Sequence, residues 1–258
     1  MQDVHPPSAG MRPAEPTLGI PELEPFATAH LITGIYACLP SGKEATVYCC
    51  RGHPSTRCKF LAAKIYRRHV PSAYRRSGPY YEGRERALKP RIRRAIEGGG
   101  AFGRAELDAL WVSSEYRYLK RLHARGADVP RPIAHSGPAI LMEYIGNGIG
   151  PAPALHGVSP DPQMARQVLQ QIVDNIMLFL RDHTVHGDLS PYNILMWKER
   201  PVIIDFPQAV DARFNRNAFS LLERDLVHLA SYFVTLGVHF DPRELAAELW
   251  RRYRRATL

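Results

Sequence analysis

Apolar residues recur at two different spacings, and the change between them divides the chain. From residue 31 to 66, the apolar runs LITGIYACL, ATVYCC and FLAAKIY are separated by polar turns, which is typical of antiparallel strands. Helical spacing dominates after residue 105, and another strand, PAILMEYIG, lies near residue 140. The pattern predicts an α+β fold with a small antiparallel sheet and a mostly helical second half.

A helix predicted over residues 106–124 carries Leu107, Trp111, Tyr118 and Leu122 on one face, and Glu115 falls on that same face. A buried carboxylate is costly unless it has a partner. We therefore expect a cation to meet it.

Further helices are predicted near the C-terminus of the chain. One spans residues 219–236, and another opens at Asp241 with a capping pattern. The strongest amphipathic pattern precedes residue 182; its apolar positions are Met164, Val168, Ile172, Ile176, Phe179 and Leu180.

Lys64 lies inside the apolar run AAKIY, where alternation places it with Ala62 and Tyr66 and directs Ala63 and Ile65 to the opposite face. A lysine there either reaches solvent along its stem or pairs with a buried acid. The carboxylate on the following helix is the obvious partner, which predicts a strand-to-helix ion pair.

The stretch HGDLSPYNILMWKERPVIIDF, residues 186–206, places Asp188, Asn193 and Asp205 around a predicted hairpin with strands at 194–197 and 202–204. Phosphoryl transfer needs a carboxylate near the acceptor hydroxyl and hard oxygen ligands for Mg²⁺. Asp188 suits the first task, and Asn193 and Asp205 suit the second. Arg224 and Asp225 are predicted either to support this loop from below or to form a surface pair.

The turn PSGKE between the first two strands contains Ser41, Gly42 and Lys43. These residues could offer a hydroxyl, backbone amides and a cation to phosphates, although an ordinary hairpin turn has the same composition.

Charge is unevenly distributed. Residues 67–104 contain eleven Lys or Arg and three Glu, which accounts for almost all of the net charge of +9. This basic segment, residues 67–104, is expected to be a flexible loop with a short helix near residues 87–96, either meeting phosphate groups or simply solvated. No apolar run is long enough for a membrane helix and no secretory leader is evident, so a cytoplasmic protein without a membrane partner is expected.

The domain organisation follows from these patterns. Residues 1–29 are rich in proline and are expected to form a disordered tail. Residues 30–144 should form an N-lobe that includes the basic segment, and residues 145–258 a C-lobe that carries the catalytic and metal-binding loops.

In combination, these motifs resemble the RIO family of atypical serine/threonine protein kinases. SGKEATVY resembles the phosphate loop, AAKIY the strand lysine, and WVSSEYRYLKRL the helix with the pairing glutamate; LMEYIG resembles the hinge, HGDLSPYNIL the catalytic loop and IIDFPQA the metal segment. The match is nearer to the first RIO subfamily, without a winged-helix domain. The phosphate loop differs from the family pattern at Pro40 and Thr46.

The resemblance implies a two-lobed protein-kinase-like fold, ATP with Mg²⁺ or Mn²⁺, and transfer of the γ-phosphate to serine hydroxyls, including self-phosphorylation. It also implies a transient phosphoryl group on Asp205, hence ATPase cycling, and a role in ribosome maturation with ribosomal RNA or a pre-ribosomal particle at the basic segment. The residues that it implies for nucleotide binding are Ser41, Gly42, Lys43, Val47, Ala62, Lys64, Glu115, Met142, Glu143, Ile145 and Asn193.

Two other functions share parts of this pattern. Small-molecule kinases of the aminoglycoside or choline type also carry an HGDLxxxN loop and an IDF segment, although SGKEATVY and DFPQ count against them. A nucleotide-dependent RNA-binding assembly factor would use the basic segment instead. Sequence leaves the protein substrate open.

Overall fold

The structure is a computed structural model that describes residues 19–39, 42, 44–67, 82, 90–148 and 150–258. The strands are β1 Ile32–Leu39, β2 Ala45–Gly52, β3 Phe60–Tyr66, β4 Pro132–Ser136, β5 Ala139–Glu143, β6 Thr184–Val185, β7 Ile194–Trp197, β8 Arg200–Ile203 and β9 Val210–Asp211. The helices are α1 Glu24–Thr28, α2 Pro90–Gly98, α3 Ala101–Ala124, α4 Pro162–Arg181, α5 Ala218–Phe233 and α6 Pro242–Arg254.

An antiparallel sheet in the order β1-β2-β3-β5-β4 forms the first half. Alternation along the central strand β3 is as predicted. Leu61, Ala63 and Ile65 are buried on one face, whereas Ala62 and Lys64 face a large cavity on the other. The predicted sheet is confirmed, and its central strand delivers Lys64 to the cavity side.

The region before β1 corrects the expectation of a disordered tail through residue 29. Pro21–Leu23 forms a 3-10 turn and α1 follows it directly. Leu23 and Phe26 are 1% and 2% exposed and pack with Leu61 and Leu141 of the sheet. Burial of these two apolar side chains on the sheet stabilises a segment whose composition does not predict order. Residues 1–18 lie outside the described part.

Two helices occupy the end of the basic segment. α2 begins at Pro90, and proline suits the first position of a helix because it has no backbone N–H that needs an acceptor. α3 begins at residue 101, five residues before the predicted start. Gly103 is required where they meet, because a Cβ there would lie 1.9 Å from the carbonyl oxygen of Ala95. The loop is thus shorter than predicted, although residues 68–81 and 83–89 fall outside the described residues.

The second half is mainly helical, as predicted. Asp161 and Asp241 cap α4 and α6, each accepting bonds from two backbone amides. The apolar face of α4 is buried along most of its length. In the β7–β8 hairpin the turn is only Lys198 and Glu199, both left-handed, so Pro201 joins β8 where a longer turn was predicted.

Across the described ranges, no helix is long and apolar enough to cross a membrane. The boundary between lobes near residue 144 remains a prediction.

Candidate active site

One cavity of about 1110 Å³ lies between the sheet and the helical half. Every predicted site residue that the structure describes lines it: Gly42, Val47, Ala62, Lys64, Glu115, Met142, Glu143, Ile145, Asp188, Asn193 and Asp205. Ser41 and Lys43 lie outside the described residues. The fold therefore brings together residues that are up to 163 positions apart in the chain, from Gly42 to Asp205.

The Lys64 ammonium lies at the centre of a cluster of charged groups in this cavity. Its Nζ lies 2.8 Å from Oε1 of Glu115 and 2.5 Å from Oδ1 of Asp205. Glu115 is 1% exposed and its other oxygen accepts from the Tyr66 hydroxyl, while the Phe206 amide donates to Oε1 at 3.2 Å. The geometry predicted for Lys64 and Glu115 is present, and Asp205 joins it directly.

Burial alone would lower the pKa of Lys64, but the charges of Asp205 and Glu115 outweigh it and raise that pKa well above its usual value. Burial likewise opposes ionisation of Asp205, and Lys64 reverses this, so the pKa of Asp205 is lowered. Both groups are charged at neutral pH.

The backbone at Asp205 is left-handed, with φ of 71°. A non-glycine residue holds such a conformation only when its surroundings fix it. Phe206 provides this anchor, because it is fully buried with its ring 5.6 Å from that of Phe179 and 4.6 Å from that of His186. The Asp205 carboxylate is thereby directed into the cavity while remaining 38% exposed.

His186 connects the loop that carries Asp188 to the end of β8. Its Nε2 donates to the Ile204 carbonyl at 3.1 Å, and its Nδ1 accepts from the Asp188 amide at 3.3 Å. Burial lowers the pKa of His186 to about 4. The ring is therefore neutral, which is what one donating and one accepting nitrogen require.

Asp225 of α5 supports the same loop from below. Its carboxylate accepts from the amides of Gly187, at 2.8 Å, and Leu189, at 3.0 Å, while Arg224 donates to the Gly187 carbonyl. Burial raises the pKa of Asp225 to about 8, against the opposing effect of those two amides. Of the two arrangements considered for Arg224 and Asp225, the structure has the supporting one.

Asp188 and Asn193 face the cavity from this supported loop. The side-chain nitrogen of Asn193 donates to the Asp188 carbonyl at 2.8 Å, so this hydrogen bond does not use the Asn193 side-chain oxygen. Burial, and then the charge of Asp205, raise the pKa of Asp188, while Arg224 and His228 act in the opposite direction. Asp188 is thus a carboxylate with increased basicity, as suits a group that accepts a proton.

Apolar side chains line another part of the cavity: Val47, Ala62, Met142, Leu195 and Ile204. The segment after β5 runs beside them, and the Ile145 carbonyl accepts from Ala152 at 2.9 Å. Such a slot suits a planar base.

Sequence reasoning missed several polar residues at the cavity. Tyr66 shares the face of Lys64 and could have been found by strand alternation. The others, His156, Tyr192, Gln208 and His228, carried no such signal. His156 and Tyr192 stack with ring centroids 4.2 Å apart, a contact between residues 36 positions apart.

Comparison with known proteins identifies the family of this chain. The family model described as the RIO domain matches residues 46–245. The RIO-type serine/threonine-protein kinase Rio1 of Thermoplasma acidophilum is 33% identical over 159 residues, 60% of this chain and 82% of that protein. Serine/threonine-protein kinase rio1 of Schizosaccharomyces pombe is 29% identical over 208 residues, 80% of this chain but only 39% of that protein.

Solved structures agree on the fold. The Rio2 kinase of Chaetomium thermophilum, solved as an ADP/Mg²⁺-phosphoaspartate complex, superimposes with a TM-score of 0.61 at 19% identity, covering 92% of this chain and 74% of that one. The kinase-like fold expected from the sequence is thereby confirmed. The chain belongs to the RIO domain family, whose members similar to it are serine/threonine-protein kinases.

Proposed function

We propose that this chain transfers the γ-phosphate of ATP to serine hydroxyls of proteins. The observation that carries the proposal is Lys64 held between Glu115 and Asp205, in one cavity with Asp188 and Asn193. Phosphoryl transfer uses a cation that binds the phosphates, a carboxylate that orients this cation, oxygen ligands for the metal, and a carboxylate that accepts the proton of the acceptor hydroxyl. The set supplies a residue suited to each of these tasks.

The residues fit Mg²⁺, or Mn²⁺, together with a nucleotide. Mg²⁺ is typically held by one or two side-chain oxygens together with substrate phosphates, and Asp205 and Asn193 offer such oxygens. When bound, the metal neutralises charge on the phosphates. Lys64 would bind the phosphates, the glycine backbone at Gly42 would lie over them, and Glu115 would keep the ammonium in place.

In the transfer step, the acceptor oxygen forms a bond to the γ-phosphorus as the bond from that phosphorus to the β-bridging oxygen breaks. ADP leaves, and Asp188 receives the hydroxyl proton. Its increased basicity supports this role.

A second acceptor lies inside the site. We infer that the Asp205 carboxylate can itself attack the γ-phosphorus, while the bond from that phosphorus to the β-bridging oxygen breaks and ADP leaves. Water then cleaves the acyl phosphate and releases inorganic phosphate, so that the protein cycles as an ATPase. The Chaetomium Rio2 kinase, whose structure is an ADP/Mg²⁺-phosphoaspartate complex, supports this inference. Denatured protein should then carry a phosphate that hydroxylamine removes, and finding only hydroxylamine-resistant phosphoserine would contradict it.

A role in ribosome maturation, with RNA bound at residues 67–104, is a further proposal. If arginines there meet phosphates, affinity should fall with log salt by about 0.7 per contact on single strands. Serine at Arg91, Arg93 and Arg94 should flatten that slope, and an unchanged slope would count against RNA binding there.

The test of the main proposal is a panel assay with labelled ATP. It compares self-phosphorylation, transfer to dephosphorylated casein, phosphate release, and transfer to small aminoalcohols such as choline. We expect self-phosphorylation and protein transfer. Transfer to the aminoalcohols alone would indicate the small-molecule kinase function instead, and no turnover of any kind would contradict phosphotransfer.

A further inference from the structure

The end of the cavity beyond Asp188 has no role in the nucleotide site described above. Three polar side chains form its wall: Gln208, Arg224 and His228. Gln208 comes three residues after Asp205, on the segment that Phe206 anchors, while Arg224 and His228 are one turn apart on α5. All three are thus held on fixed elements and line the same cavity as Asp188.

Two polar atoms of this wall have unused hydrogen-bonding capacity. Oε1 of Gln208 and Nδ1 of His228 are buried, and neither has a hydrogen-bond partner within the described part of the chain. Buried polar atoms are normally paired, so an unpaired one requires an explanation. In ligand-free enzymes, hydrogen bonds at the reacting site often form only when substrate arrives.

The size and charge of this end indicate what would pair with them. At about 1110 Å³, the cavity exceeds the upper end of about 1000 Å³ that is usual for one small ligand, which leaves room for an acceptor beside a nucleotide. The charges of Asp188 and Arg224 are opposite and offset each other, since Arg224 lowers the pKa of Asp188. A neutral polar ligand is therefore favoured over an ion, and the most regular neutral polar ligand is a peptide backbone.

We propose that Gln208 and His228 bind the backbone of the protein substrate at the residue that carries the acceptor hydroxyl. Both atoms are covered in the ligand-free structure, so the two side chains turn towards the cavity as substrate binds. The Gln208 side-chain oxygen then accepts from a substrate N–H, and His228 Nδ1 donates to a substrate carbonyl. Together they place the hydroxyl against Asp188. This inference rests on the proposed function, because it assigns the acceptor subsite of that reaction.

The experiment uses the full chain and three leucine variants. Gln208→Leu and His228→Leu remove the two groups. Gln171→Leu is the matched control, because Gln171 also has a buried side-chain oxygen without a partner in the described residues but does not line the cavity. Each is assayed with labelled ATP for transfer to dephosphorylated casein and for release of free phosphate.

Loss of one neutral hydrogen bond to the substrate should raise the KM for casein about tenfold. The ratio of transfer to release should fall by a similar factor, and the KM for ATP should change little. Gln171→Leu should resemble the wild type in all three quantities.

A conservative pair separates binding from packing at His228. Asparagine places its amide near the position of Nδ1, whereas glutamine reaches towards Nε2. The KM for casein in His228→Asn should therefore lie close to the wild-type value, whereas in His228→Gln it should stay as high as in His228→Leu.

Two results would overturn the inference while leaving the proposed function intact. One is wild-type transfer and wild-type release in both leucine variants. The other is an equal fall in transfer and release, which would indicate a merely structural role. A wild-type chain that binds ATP but phosphorylates no protein would overturn the proposed function, and this inference with it.

Discussion

The two ends of the cavity differ in how their polar groups are satisfied. At the phosphate end, Lys64 already donates to both Glu115 and Asp205. At the acceptor end, Gln208 and His228 each keep a buried atom without a partner among the described residues. The phosphate end is thus organised before any ligand binds, whereas two neutral groups at the acceptor end keep unused hydrogen-bonding capacity.

The difference follows from charge. Lys64 and Glu115 side chains are 12% and 1% exposed, and a buried ion without its counter-ion costs several kcal/mol. A neutral amide or imidazole that lacks one hydrogen bond costs about 1–3 kcal/mol. The protein can therefore tolerate open neutral groups where a substrate must enter, but it cannot tolerate open charges.

The largest effect should come from breaking the paired end. Lys64→Met leaves Glu115 without its cation, so we expect unfolding free energy to fall by about 3–5 kcal/mol. Phosphate release and protein transfer should be lost together, because the phosphates lose their cation. Denaturant unfolding and the labelled-ATP assay measure the two effects.

The control is Lys59→Met, an exposed lysine just before the same strand, which should change neither quantity. Adding Glu115→Gln to Lys64→Met should recover part of the stability, because one of the two unpaired charges is gone, but no turnover. Recovery of turnover in the double variant would contradict the role of Lys64 at the phosphates.

Asp188→Asn tests the junction between the two ends. It should lower protein transfer by about 10²–10⁴-fold, the usual contribution of a positioned proton acceptor. Nucleotide affinity should change by less than about threefold, because the phosphate end keeps its own pairs. Single-turnover rates and a fluorescent nucleotide titration measure this, with the exposed helix residue Asp174→Asn as control. Wild-type transfer rates in Asp188→Asn would disprove the assignment.

Arg224→Gln should have a smaller effect, visible in the pH profile. The Arg224 charge favours the ionised form of Asp188 and so lowers its pKa. Without that charge the pKa of Asp188 rises further, and the acidic limb of kcat/KM should move to higher pH. Arg200→Gln, which loses only an exposed pair with Asp128, should leave the limb in place. A limb that moves to lower pH in Arg224→Gln would contradict this sign.

The smallest effect is expected at the outer edge of α5, where the basic segment contacts the second half of the chain. The Glu82 carboxylate accepts from Arg216 Nε at 2.7 Å and from the Arg216 amide at 3.2 Å, and its carbonyl accepts from Asn215. The Arg216 side chain is 89% exposed, so Glu82→Gln should cost less than about 1 kcal/mol.

The loss at Glu82 should shrink as salt rises, because exposed ion pairs are screened. Glu97→Gln on α2, whose carboxylate is exposed, is the comparison variant. A salt-independent loss would show that the contact is not chiefly electrostatic.

Sequence alone determined the features that depend on local periodicity or on short spacing. Alternation placed Lys64 and Ala63 on opposite faces of β3, and Asp241 was predicted as the start of the last helix. The pairing of Glu115 with Lys64 also followed, because a carboxylate on an apolar helix face needs a cation and the chain offers one on the preceding strand. These arguments use only the periodicity within each element and the cost of burying charge.

Only the tertiary structure decided the rest. Leu23 and Phe26 become ordered because the sheet receives them, and Asp205 adopts a left-handed backbone because Phe206 is held in the core. The loop that carries Asp188 is held in place because Asp225 of α5 accepts from its backbone amides. Each of these depends on residues far away in the chain, and periodicity contains no information about such contacts.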